Sequence, residues 1–191
     1  MEFWEKISAL QGLYPQERCR KQENACCLGV AKTPPPLADH ILYAPMPEAM
    51  IGQLVGAYRR QFPQALLTLY RRMNGCDLFW TTRPIGKTKR RLPVCMFSVY
   101  GVPWSHSRDQ AEPFNISLED LNRPQDTPES WLKFGRYCLP KDLSARYDLF
   151  LDTETGKAYA VENGTASCTV RSCWESLDAC LCAVFDLCRD S

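Results

Sequence analysis

Histidine is nearly absent from this chain, which holds two, His40 and His106, among 191 residues. Neither has a second histidine at metal-binding spacing. No His-Glu-x-x-His helix and no Gly-x-Ser-x-Gly elbow occurs, so the signatures of a zinc protease and of a serine hydrolase are both missing. An excess of one charge is missing too. The formal net charge is +1, which offers no global attraction to nucleic acid or to anionic lipid. No stretch approaches the roughly 20 apolar residues that span a bilayer. The opening Met-Glu-Phe-Trp-Glu-Lys puts charges where a signal peptide needs an apolar run. The expectation is a soluble, non-secreted, cytoplasmic chain that uses no metal and no cofactor.

Cysteine is plentiful instead, with eleven in the chain. An odd number without a secretion signal does not suit a disulfide framework. The spacings do not suit zinc either: Cys26 and Cys27 are adjacent, Cys180 and Cys182 have one residue between them, and Cys-x-x-Cys is absent. Cys173, Cys180 and Cys188 fall at helical spacing beside Leu177, Leu181 and Val184, where a reduced thiol behaves as a small core hydrophobe. That usage fits a reducing compartment.

With 45% hydrophobic residues, the chain can build one sizeable core, so a single domain with an N-terminal extension is expected. Phe3, Trp4, Ile7 and Leu10 mark a short amphipathic helix over 2–12. A cysteine-rich segment of mixed polarity follows and ends in the extended connector Pro34-Pro35-Pro36. A helix begins near Glu48 with Ile51, Leu54, Val55 and Tyr58 on its apolar face. Pro63 suits the first turn of another, carrying Leu66, Leu67, Leu69, Tyr70 and Met73 and stopped by Asn74-Gly75. Strand character follows at 77–80 and 94–100, a short capped turn at Ser117, and strands at 131–138, 147–152, 157–162 and 165–171. Ser172 with Glu175 has the spacing of a capping box that would open a last helix through Trp174, Leu177, Leu181, Val184 and Phe185. Helices, then strands joined by short turns, then a closing helix give an α+β fold with a curved, mainly antiparallel sheet.

The remaining chemical motifs fail on inspection. Gly86-Lys87-Thr88 resembles the tail of a phosphate-binding loop, but the required earlier glycine is Thr81 and Pro84 stiffens the cradle. Arg83, Lys87, Lys89, Arg90 and Arg91 form a local basic cluster that reads as a solvated loop between strands. Asp148, Asp152 and Glu154 suggest an acidic or calcium site. The twelfth position, which needs a glutamate, holds Asn163, so turn formation by Asp152, with Gly156 supplying positive φ, is preferred. Cysteine nucleophile chemistry is left as a separate possibility, to be judged by thiol acidity.

From Met46 onward several pieces occur in a characteristic order. Phe62-Pro63 leads into Leu66, Leu69 and Tyr70. Asn74-Gly75 ends that helix just before Leu78-Phe79-Trp80. A strand ends in Phe134-Gly135, and the hairpin Leu151-Asp152-Thr153-Glu154-Thr155-Gly156-Lys157-Ala158-Tyr159 precedes an amphipathic C-terminal helix. In this order they resemble the SUKH superfamily, which includes fungal cell-wall synthesis regulators and many bacterial immunity proteins. The resemblance divides the chain into an N-terminal extension, 1–45, and a SUKH-like domain, 46–191. It implies a domain without catalytic residues that binds a protein partner, most simply a nuclease-type toxin that it neutralises. A regulatory or scaffold module binding a host protein in envelope or signalling control is the alternative. Candidate partner-binding residues are the aromatics Trp80, Trp104 and Trp131 and the carboxylates Asp77, Asp148 and Glu154. Trp131 reads more readily as core, and Trp104, between Pro103 and Ser105, as exposed.

Overall fold

The computed structural model describes residues 2–32, 38–58, 62–84, 90–102, 124, 126–164 and 167–190. Within them, nine strands form one sheet in chain order, each antiparallel to the next. They are β1 (Cys19–Lys21), β2 (Ala25–Leu28), β3 (His40–Tyr43), β4 (Cys76–Pro84), β5 (Arg91–Val99), β6 (Trp131–Leu139), β7 (Asp142–Asp152), β8 (Ala158–Glu162) and β9 (Val170–Trp174). Four helices accompany them: α1 (Phe3–Gly12), α2 (Glu48–Ala57), α3 (Gln64–Arg72) and α4 (Leu177–Arg189). The sheet is open, with β1 and β9 at its edges. The α+β class read from the sequence is the class adopted.

Strand alternation puts one face of the sheet against the helices. Leu132, Leu149, Leu151, Ala158 and Ala160 share this face and join the main core. From α4, Leu177, Cys180, Leu181, Val184, Phe185 and Cys188 are buried in it. Each large apolar side chain so placed contributes roughly 1.5–3 kcal/mol. Phe3 of α1 sits edge-on to both Phe97 and Phe185, with ring centroids 6.5 and 6.3 Å away. Lys6 reaches Asp186 of α4 at 2.7 Å, and the Phe3 N–H donates to Asp178 Oδ1 at 3.2 Å. The first 45 residues thus contribute α1 and β1–β3 to the same core and sheet. The proline triplet at 34–36 and the Ser117 turn lie outside the described residues.

Helix ends are set by local chemistry, with two departures from expectation. Pro63 is the N-cap residue of α3, one position ahead of the first turn. The last helix begins at Leu177, not at Ser172, and its cap is Ser176, whose hydroxyl accepts the Ala179 N–H at 3.2 Å. The Ser172–Glu175 spacing fits a capping box, but residues 170–174 pair with β8 (Cys173 faces Tyr159) and the sheet claims them. Cys173 is accordingly exposed on a strand, while Cys180 and Cys188 occupy the core positions assigned to them.

Asn74-Gly75 does more than end α3. Gly75 adopts φ +89°, and a Cβ there would stand 2.3 Å from the Val99 carbonyl. The Asn74 side chain clamps Val102 on both sides, donating to its carbonyl at 2.7 Å and accepting its N–H at 2.9 Å. A generic helix stop therefore also ties α3 to the chain leaving β5.

Candidate functional site

On the face turned away from α4, strand register brings distant residues into a row. Asp77 lies opposite Ser98, Ser98 opposite Arg136, and Arg136 opposite Asp148. Directly paired residues in antiparallel strands project to the same side. Beside this row, towards β1, a small apolar cluster of Ala25, Cys27, Ala38, Ile41 and Tyr43 packs. Asp77 is 3% exposed. It accepts the Tyr43 hydroxyl at 2.6 Å through Oδ2, while Oδ1 is buried with no hydrogen-bond partner. Burial pushes this carboxyl up, against the pull of Tyr43, Ser98 and Arg136. Asp148, also 3% exposed, is held by Lys133 Nζ at 2.9 Å and by the Asn163 amide at 2.7 Å. Both carboxylates are interior groups of this polar row.

Trp80 reaches the same face through a break in alternation. Phe79 adopts φ +59°, which is costly for an aromatic residue. Its ring turns back to the helix side and packs on Phe185 at 5.1 Å and His40 at 5.0 Å. Leu78 and Phe79 thus both face the helices, and Trp80 swings to the opposite face. There it lines a cavity of about 240 Å³ with Pro93, Val94, Cys95, Arg136 and Arg146. The Trp80 Nε1–H is buried without a hydrogen-bond partner.

Trp131, at the start of β6, and Glu154, in the β7–β8 turn, lie at the same end of the sheet. Trp131, half-buried, stacks on Tyr159 at 4.1 Å with the ring planes 14° apart, and its other neighbour is the buried Phe150 at 5.9 Å. Trp131 pairs with Asp152, the residue that opens the β7–β8 turn. Asp152 Oδ1 accepts the Glu154 N–H at 3.1 Å, and Oδ2 accepts the Thr155 hydroxyl at 2.7 Å. Burial opposes ionisation, but these donors prevail and hold the Asp152 carboxyl below its ordinary value. Gly156, at φ +73°, closes the turn, and its N–H donates to the Asp152 carbonyl at 2.9 Å. The turn chemistry read from the sequence is the chemistry present, and it leaves Glu154 exposed beside the aromatic stack. Trp104 lies outside the described residues, as do Lys87 and Lys89 of the basic cluster.

Burial shifts several of the thiols and one imidazole away from their reactive forms. All eleven cysteines are free thiols. Burial pushes up the thiols of Cys76, Cys95, Cys138 and Cys180, and raises Cys188 to about 12 and Cys182 to about 11. A raised thiol holds less of the nucleophilic thiolate at neutral pH. His40 is 4% exposed, and burial lowers it to about 4. Among the described residues, no cluster of three or more His, Cys, Asp or Glu is arranged to hold a metal ion, and no helix is long and apolar enough to cross a membrane.

No family model, curated protein or solved structure matches this chain.

The sequence reading missed the Tyr43–Asp77 pair, the role of Arg136 and Arg146, and the use of His40. Only register could have revealed the first three, because their partners lie on other strands. For His40, a weak local signal existed: it precedes the apolar Ile41-Leu42-Tyr43, as a residue of a buried strand would.

Proposed function

We propose that this chain is a non-catalytic protein-binding domain of the immunity type, which neutralises a basic, nuclease-type toxin by docking the corner formed by Trp131, Tyr159 and Glu154. The observation that carries the reading is the Trp131–Tyr159 stack, half-buried and backed by Phe150. A pre-organised aromatic pair loses little conformational freedom on binding, and interfaces concentrate their energy on such anchors. Glu154 is exposed on a turn fixed by Asp152, so a negative charge stands beside the anchor and would steer a basic partner. The raised thiols and the neutral, enclosed His40 favour binding over catalysis. The resemblance to SUKH immunity proteins points the same way.

The test is co-expression with a nuclease toxin encoded beside this gene, followed by isolation of the complex. Protection of the cells and a stable complex are expected. Trp131→Ala and Glu154→Lys should each weaken binding about tenfold or more, which corresponds to about 1.4 kcal/mol. Absence of both protection and complex would overturn the reading. Selective binding of a housekeeping envelope or signalling protein would replace it with a regulatory scaffold.

A further inference from the structure

We propose that β9 is a self-pairing edge, through which two copies of this chain join antiparallel strands about a two-fold axis into one continuous sheet. The sheet is open and ends on β1 and β9. β1 is three residues long and carries Arg20 and Lys21, the short, charged form that discourages pairing. β9 is five residues long, holds neither proline nor lysine, and exposes Val170, Arg171 and Cys173. The ladder beside it fixes where its backbone groups point. Along an antiparallel strand, each residue turns its N–H and C=O to one side, and the next residue to the other. The Glu162 N–H donates to the Thr169 carbonyl, so Glu162, Ala160 and Ala158 turn their groups towards β9. Their partners Ser172 and Trp174 therefore point back at β8. Cys173, between them, points its N–H and carbonyl outward, where no backbone group of the described residues meets them.

The order of charges along the edge selects a second copy as the occupant. Two β9 strands centred on Cys173 exchange two hydrogen bonds there and set Arg171 of each copy opposite Glu175 of the other. Both charges already have partners in their own chain, Glu162 for Arg171 and Lys157 for Glu175. They nevertheless remain 54% and 81% exposed at the side chain, so each can take a second contact. The junction then alternates in sign, from Lys157 and Glu175 to Arg171 and Glu162 of the second copy. The two-fold satisfies both ends at once, as an isologous contact does. Arg171 is the extra residue of a bulge against β8, so regular pairing is confined to 172–174. The contact is small, and a dissociation constant on the order of 100 µM is expected. Tyr159 stands across from Cys173. The axis therefore brings two Trp131–Tyr159 stacks within about 14 Å, three strand spacings, on one face. Self-association itself does not rest on the toxin-binding reading.

Sedimentation equilibrium of the intact chain under reducing conditions should show monomer at about 1 µM and mostly dimer towards about 1 mM. Arg171→Glu alone and Glu175→Arg alone each set like charges at both contacts and should weaken self-association about tenfold or more. Mixed together, the two variants should form a heterodimer at least as tight as the wild-type dimer, because every contact is then of opposite sign. Cross-linking gives a second readout that needs no charge variant. A short bismaleimide should join wild-type chains through the exposed Cys173 at high concentration, and Cys173→Ser should abolish the product. A wild type that stays monomeric throughout would overturn the proposal. So would a mixture that associates no better than its single components, or a cross-link that survives Cys173→Ser.

Discussion

The Nδ1 atom of His40 accepts the backbone N–H of Phe79 at 3.1 Å, and its Nε2 meets the Tyr14 hydroxyl at 2.9 Å. Because Nδ1 is an acceptor, the ring is neutral with its proton on Nε2, which donates to Tyr14. The first bond holds the backbone where Phe79 takes positive φ, and that break in alternation places Trp80 on the opposite face. A buried, neutral imidazole on β3 therefore sets the position of a side chain on the far side of the sheet.

This arrangement predicts a loss of stability in mild acid. His40 titrates at about 4 in the fold against 6.5 ordinarily, through burial. Its neutral form is therefore favoured by folding. The contribution is complete above pH 6.5 and is lost as the pH falls towards 4, because the unfolded chain then binds the extra proton. The slope is about 1.4 kcal/mol per pH unit in that window, so about 2 kcal/mol should vanish between pH 6.5 and 5. Urea unfolding of the wild type and of His40→Asn at both pH values isolates the term. The variant should be less stable at pH 7 and should lack most of the decline. Equal declines in both proteins would assign the effect to other groups.

Gly75 should tolerate no side chain. Its φ of +89° is strained for any other residue, and an added Cβ would meet the Val99 carbonyl at 2.3 Å. Since that neighbour is backbone of a central strand, it cannot move aside cheaply. Gly75→Ala should cost about 2 kcal/mol or more. Gly156→Ala is the control, with φ +73° but open space around it, and should cost about 1 kcal/mol. Thermal melts of the two variants provide the comparison, and equal losses would remove the packing part of the argument.

How much of this was legible follows from where each determinant lies in the chain. The Asp152–Gly156 turn was legible because a carboxylate capping N–H groups two and three residues on is local chemistry. So was α3, bracketed by Pro63 and Asn74-Gly75. The strands β1–β3 were not, because they are three or four residues long and their cysteines and charges carry no clear alternation. At 172–175 the local pattern favoured a helix, and pairing of Ser172, Cys173 and Trp174 with β8 outweighed it. The polar row was invisible for a related reason. Asp77 and Asp148 read as candidate surface charges only while their partners Tyr43 and Lys133, on other strands, are unknown.

Asp148 should therefore matter to stability. Lys133 is 12% exposed at the side chain and Asp148 5%. Breaking a buried pair by removing one member leaves the other charge uncompensated, so Asp148→Ala should cost about 3 kcal/mol. Asn163→Ala, which removes one hydrogen bond to the same carboxylate, should cost about 1 kcal/mol. Denaturant titrations give both values. A cost for Asp148→Ala no larger than that for Asn163→Ala would mean that Lys133 draws little from this pair.

The pair that ties α1 to α4 makes an asymmetric prediction. Lys6 is buried with its ammonium 2.7 Å from Asp186 and 5.8 Å from the centre of the Phe185 ring, while Asp186 is 41% exposed. Removing Asp186 strands a cation in the core, whereas replacing Lys6 with an apolar residue of similar length removes the desolvation cost with the charge. Asp186→Ala should accordingly destabilise by about 2–3 kcal/mol, and Lys6→Met by less than about 1 kcal/mol. The double variant should be more stable than Asp186→Ala alone, because the penalty belongs to the unpaired ammonium. If α1 were only appended to the domain, all three proteins would unfold at the denaturant midpoint of the wild type. A shift confined to Asp186→Ala identifies α1 as part of the same cooperative core that holds Phe3 against Phe97.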